Sequence, residues 1–239
     1  MKSLDNPKYY LNREFMALEF NDRVLQLAEN VVRLEIDHDC PEDIINFLLH
    51  KYHLRYDDVY RCNGPVNLQR LIWLIEQCQN AASKGQESRI ILKANGLTDD
   101  KIIQALYLAS QKGAHITLIV RGPCCLKPKI PGVSENIQVI SIVGRFLEHH
   151  RVYYFKFANE EYYYCSSADL MERNLYARIE IMFPILSEAC QKRVYDEILK
   201  NYLKDNTNTW ELQSDGHYKP IRDGEYSCQN KLLELYKAC

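Results

Sequence analysis

Apolar and polar positions follow three different patterns along the chain. Over residues 1–30, Phe15, Leu18, Val24, Leu25 and Ala28 recur near helical spacing with charges between them, which predicts a helix. Over residues 31–71 the stretch Val31-Val32-Arg33-Leu34-Glu35-Ile36 reads as a strand, and Pro41-Glu42-Asp43 opens a short helix carrying Ile44, Ile45, Leu48 and Leu49. Gly64-Pro65 marks a turn.

From residue 72 to 239 the pattern is most regular. A helix near 68–82 ends at Lys84-Gly85, and Arg89–Lys93 follows as a strand. Thr98 is the expected N-cap of the next helix, with Asp99 and Asp100 at its positive end, and Gly113 closes it. His115–Val120 is the next strand, so this β-α-β succession predicts parallel strands joined by a right-handed crossover. Ile137–Ile142 and Ile179–Phe183 are further strands, and Arg151–Phe157 with Glu161–Ser166 reads as a hairpin turning near Asn159. Ser187 caps a helix reaching about Leu203. The expected class is α/β with a mixed sheet of five or six strands.

Composition narrows the picture. With 46% hydrophobic residues the chain of 239 is not globally disordered. A net charge of −2 lacks the basic excess of a protein that wraps duplex nucleic acid, so no nucleic-acid partner is expected. No apolar run approaches the roughly 18–20 residues of a membrane span, and Met1 to Tyr10 is polar, unlike a signal peptide. Nine cysteines, an odd number with no CxxC, fit neither a disulfide framework nor a zinc ribbon. Reduced thiols in a cytoplasmic protein are the expectation, and no metal-ligand set is evident.

One stretch stands out for chemistry. Ser141 to Arg151 places Arg145, His149, His150 and Arg151 where one strand ends and another begins, the place where open α/β sheets gather functional groups. Imidazole exchanges protons near neutral pH, guanidinium matches two phosphate oxygens, and residues two apart on an extended chain share a face. His149 and Arg151 can therefore meet one phosphate together; in isolation the same residues would be a solvated turn. Arg121 sits just past an apolar strand, although spacing alone favours a solvated arginine opening a turn. Ser166-Ser167-Ala168-Asp169 with Arg173-Asn174 forms a polar loop, in which Asp169 by itself reads best as a helix cap. Lys93-x-Asn95 is a further phosphate-contact candidate. Neither GxxxxGK[ST] nor GxGxxG is present.

Taken in order, these segments resemble bacterial polyphosphate kinase. Ile91 to Asp99 is similar to its lysine–asparagine strand end, and Leu118 to Leu126 to its VRGxCxL segment. Ser134 to Ile137 and Ser141 to Arg151 resemble its SENI and SIVGRFLEH stretches, and Ser166 to Asn174 its SSADWMxRN with Leu170 in place of the tryptophan. Tyr10 to Leu25 resembles the family's first helix, and Val31 to Leu68 the end of its middle domain. Junctions near Asn30 and Ile72–Ile75 resemble internal deletions.

The resemblance implies one phospholipase-D-like mixed-sheet domain at 72–239, preceded by an N-terminal helical remnant (1–30) and a middle-domain remnant (31–71). It implies ATP/ADP and polyphosphate as partners, with Mg2+ as cofactor. His149 becomes the catalytic residue that protonates the departing ADP oxygen, and Arg121, His149, Arg151, Arg145, Lys93 and Asn174 the phosphate contacts. In the family two such halves share one site, and the half bearing the phosphorylated histidine and the Mg2+ ligands has no counterpart here. A polyphosphate kinase-type phosphotransferase incomplete on its own is therefore expected, as a homo-oligomer or with a chain supplying the missing half. The alternative is a non-catalytic ATP/polyphosphate-binding remnant or a subunit of a split enzyme. A phospholipase-D-like hydrolase is disfavoured, because His149-His150-Arg151 departs from His-x-Lys and Lys156 stands where the later acid would be.

Overall fold

The computed structural model describes residues 60–63 and 66–237. The elements expected over 1–30, at 31–36 and after Pro41, and the turn at 64–65, lie outside these residues.

Strand β1 is Tyr60–Asn63 and helix α1 is Val66–Ser83. Leu68, Leu71, Leu74, Ile75, Cys78 and Ala81 recur at three- and four-residue steps and are all buried, so α1 forms by laying one apolar stripe on the sheet. It runs unbroken through position 72. β2 (Arg89–Ala94) follows, with Ile90, Ile91 and Leu92 fully buried, the mark of a strand covered on both faces.

α2 is Asp100–Gln111, and its cap is Asp99, one residue later than the sequence suggested, whose carboxylate accepts from the Ile102 amide. Gly113, at φ +96°, ends that helix. β3 (His115–Val120) pairs in parallel with β2 and with β4 (Ile137–Ile142). β5 (Arg151–Phe157) lies antiparallel on the other side of β2 and forms a hairpin with β6 (Glu160–Ser166). Both turn residues, Ala158 and Asn159, have positive φ, as the twist of a two-residue hairpin requires.

β7 (Ile179–Pro184) pairs with β6 and β1, while β8 (Thr209–Leu212) and β9 (Tyr218–Pro220) extend the sheet beyond β4. The nine-stranded order is β1-β7-β6-β5-β2-β3-β4-β8-β9. The sequence suggested five or six strands; the edge strands β1 and β9, and β8 next to β9, have only three or four residues, too short for a two-residue period to register.

Helices cover both faces. Ile90, Leu92 and Leu118 pack under α1 and α2. On the other face, Ile91, Ile119 and Tyr154 pack against Leu199, Tyr202 and Cys228. Leu199 ends a π-helical segment (Val194–Leu199) that continues α3 (Glu188–Arg193), Tyr202 lies on α4 (Lys200–Leu203) and Cys228 on α5 (Cys228–Tyr236). Ser187 occupies the cap position of α3 without a side-chain cap bond. Six cysteines among the described residues are free thiols. Among those residues no helix is long and apolar enough to cross a membrane.

The loops beyond β2, β3 and β6 are knitted together at one sheet end. Leu97 donates to the Pro123 carbonyl, Cys125 to Leu97, Thr98 to Leu170 and Leu170 to Gly96. Gly122 donates to the Asn95 carbonyl at 2.8 Å, and a Cβ at Gly122 would stand 2.5 Å from that oxygen. Gly122→Ala is therefore expected to cost about 1–3 kcal/mol by forcing the two loops apart. Urea unfolding measures it, and an unchanged midpoint would contradict the close approach.

Candidate functional site

The knitted sheet end gathers charge that no single strand carries. Lys93 comes from the end of β2, Arg121 from the residue after β3, and Arg151 from the start of β5, which is antiparallel to β2. Asp169 follows β6, and Asn95 follows β2.

Arg151 is buried and its fork is filled. Nε donates to Asp169 Oδ1 at 3.0 Å and Nη2 to Oδ2 at 2.7 Å, while the Asn95 amide donates to Oδ1 at 2.7 Å. Burial opposes ionisation of Asp169, but the Arg151 guanidinium and the Asn95 amide outweigh it and hold its carboxyl below the usual range. Asp169 is thus the counter-ion of Arg151 and not the helix cap that its sequence position suggested.

The same guanidinium lies across the His149 ring, with Nη1 3.3 Å from Nδ1 and Nη2 3.3 Å from Nε2. Both ring nitrogens lie within hydrogen-bonding distance of one guanidinium, and the tautomer decides which of them accepts. Partial burial, then the Arg151 charge, lowers the His149 pKa below its ordinary value. The Asn95 side chain donates to the His149 carbonyl at 3.4 Å.

Lys93 is buried and turned toward Glu148, 3.4 Å from Oε2, with its ammonium 4.7 Å from the centre of the Tyr202 ring. Burial lowers Lys93 and raises Glu148, and their mutual attraction opposes both shifts. Glu148 also accepts from the Tyr202 hydroxyl and from Gln229 Nε2. His150 sets its ring edge-on to Tyr202.

Arg121 differs from these cations. Its Nε and Nη1 are buried and meet no hydrogen-bond acceptor. Burial lowers its pKa, Arg151 adds to the shift, and Asp169 and Glu148 oppose it. A buried guanidinium with unsatisfied N–H groups calls for an anion.

Two of the residues singled out in the sequence stand apart. Asn174, in a π-helical turn (Arg173–Ala177), donates to Glu180 Oε1 at 2.7 Å, and Glu180 also accepts from the Ser167 hydroxyl. Arg145 is exposed, packs over Phe146 and lines a separate cleft with Asn208 and Glu225, so it does not join the Arg121 cluster. Sequence reasoning missed Glu148, Tyr202, Glu180 and Gln229. A carboxylate beside two histidines was a usable signal for Glu148. The other three lie on elements distant in sequence and carried none.

The fold and this sheet end define an α/β, mixed-sheet domain with a cationic cluster at one sheet end, and the comparisons with known proteins specify its family. Residues 64–231 match the family description "Polyphosphate kinase C-terminal domain 2", and residues 23–74 match "Polyphosphate kinase middle domain". The chain belongs to the polyphosphate kinase family. It is 50% identical over 168 residues to the polyphosphate kinase of Xylella fastidiosa, covering 69% of this chain and 24% of that protein. It is 51% identical over 160 residues to that of Pseudomonas aeruginosa, covering 66% and 23%. The crystal structure of polyphosphate kinase from Porphyromonas gingivalis superposes with a TM-score of 0.70 at 33% identity, over 82% of this chain and 31% of that one. The chain thus spans about a quarter of the length of the curated relatives it matches.

Proposed function

We propose that this chain is the phosphate-facing part of a polyphosphate kinase-type phosphotransferase, receiving the terminal phosphates of ATP and the end of a polyphosphate chain at Arg121 and His149. The supporting observation is Arg121. Lys93 has Glu148 and Arg151 has Asp169, whereas Arg121 keeps two buried N–H groups without an acceptor. A chain of phosphate oxyanions supplies both the acceptors and the charge.

Transfer breaks the bond from the γ-phosphorus to the ADP oxygen and forms one from that phosphorus to a terminal polyphosphate oxygen. Arg121 would hold charge on the phosphoryl oxygens as they pass between the two. Arg151, its fork filled, contributes field and fixes His149. His149 would give its ring proton to the departing ADP oxygen.

Mg2+ would neutralise phosphate charge in such a reaction. Among the described residues no three His, Cys, Asp or Glu side chains converge to hold a metal, and the cluster is cationic, so these residues do not fit the ion. The half-site character expected from the resemblance favours a second reading, in which this chain binds ATP or polyphosphate and a second polypeptide completes the transfer.

Incubating the full chain with γ-labelled ATP, Mg2+ and polyphosphate separates these readings. Labelled polyphosphate, lost in His149→Ala, supports transfer by this chain. Binding without product supports the second reading, and neither binding nor product overturns both.

The ring itself gives a further expected result. Ligand-free His149 should titrate below its ordinary value of 6.5, because burial and Arg151 disfavour the cation. Tripolyphosphate should raise that pKa, since a bound polyanion favours imidazolium. Proton NMR of the ring reads both, and a pKa unmoved by ligand would remove His149 from the phosphate site. Between pH 6.5 and the lower native value the unfolded chain binds more protons, so the His149 contribution weakens as pH falls through that window.

A further inference from the structure

We infer that Gln229, 80 residues downstream of His149 on helix α5, is the positioning residue of the loop that carries His149. Residues 143–150 join β4 to β5 without regular secondary structure, yet they must deliver His149 onto the Arg151 guanidinium. A backbone segment without a neighbouring strand needs other partners for its peptide groups.

Gln229 supplies them. Its Oε1 accepts from the Phe146 amide at 3.0 Å, and its Nε2 donates to the Phe146 carbonyl at 2.9 Å. One side-chain amide thus serves both peptide groups of Phe146, as an adjacent strand would. The same Nε2 donates to Glu148 Oε1 at 2.8 Å, and the other Glu148 oxygen is held by Tyr202 and Lys93. The residue before His149 is therefore fixed through both carboxylate oxygens.

The base of this clamp is rigid. Gln229 is 5% exposed. The Cys228 amide beside it donates to Asp205 Oδ2 at 2.9 Å, and Asn201 Nδ2 donates to the Cys228 carbonyl at 3.0 Å. Room for the amide comes from Gly144, where a Cβ would stand 2.5 Å from Gln229 Oε1. The loop and the helix are matched to each other at two separate residues.

Gln229 touches neither His149 nor the proposed phosphate position, so it acts through the loop. The inference rests on the proposed phosphate site only for its binding consequence.

Gln229→Met keeps the length and removes all three bonds; Gly144→Ala pushes the same amide from the loop side. Each is made in the full chain and followed by NMR titration of His149 without ligand, by calorimetric titration with tripolyphosphate, and by urea unfolding. In both variants the His149 pKa is expected to rise toward 6.5 as the ring leaves Arg151, and tripolyphosphate binding to weaken by about tenfold. An unchanged His149 pKa in a folded Gln229→Met chain overturns the inference. If Gln229→Met does not fold, Gly144→Ala decides by the same pKa. If the unsubstituted chain binds no tripolyphosphate while the variants still shift His149, the phosphate reading fails and the positioning role stands.

Discussion

Arg121→Ala is expected to weaken tripolyphosphate binding by about 2–3 kcal/mol, roughly thirty- to a hundredfold, while leaving the fold intact or slightly more stable. The two signs share one cause. In the free chain the Arg121 Nε and Nη1 are buried without acceptors, and burial together with Arg151 disfavours its charge, so the side chain costs folding free energy. A bound phosphate converts that cost into charge-assisted hydrogen bonds. Calorimetric titration and urea unfolding of the same samples read both effects. Equal affinity in the variant would remove the observation on which the phosphate site rests, and a large loss of stability would mean that Arg121 has a structural partner.

Asp169→Asn should behave in the opposite way. It leaves the Arg151 guanidinium buried and without a counter-ion, beside Arg121, at an expected cost of about 3–5 kcal/mol in unfolding free energy. The shape and an acceptor for the Asn95 amide survive, so the loss reports the missing charge. Changing Arg151→Met together with Asp169→Asn should recover most of that stability, because no buried charge is then stranded. A single Asp169→Asn variant that unfolds at the same urea concentration as the unsubstituted chain would contradict the pair. The pH dependence follows from the same geometry. Asp169 has a native pKa below the unfolded value, so its contribution is present in full above the unfolded carboxylate pKa and is lost as pH falls through the native one.

These expectations place the four basic residues in different roles. Lys93 is engaged by the half-buried Glu148 and Arg151 by the buried Asp169, Arg145 is turned into another cleft, and Arg121 alone among them has buried N–H groups without an acceptor. A resemblance by motif lists them together as phosphate contacts. Their environments separate the proposed phosphate ligand, Arg121, from two charges that shape the field around it.

The sequence by itself determined the central strands and the α/β class. β3, β4 and β5 begin and end where their apolar runs do, because a strand buried on both faces admits few polar residues. The ordered segments Ile91 to Asp99, Leu118 to Leu126, Ser141 to Arg151 and Ser166 to Asn174 were enough for the family resemblance. The short outer strands β1, β8 and β9 and helix α5 were not legible. Their few residues carry little periodicity, and Leu235 and Tyr236 of α5 face solvent, which blurs its apolar stripe.

Only the tertiary structure decided which charges meet. Asp169 reads as a cap until the loop after β6 is tied to the loop after β2, and that tie places it on Arg151. Gln229 carries no local signal, since its partners Phe146 and Glu148 lie 83 and 81 residues earlier. Periodicity reports the side of an element that is buried, a property of neighbouring residues. The pairing of a buried charge or amide depends on which distant loop the fold brings within 3 Å, and residue order alone does not encode that distance.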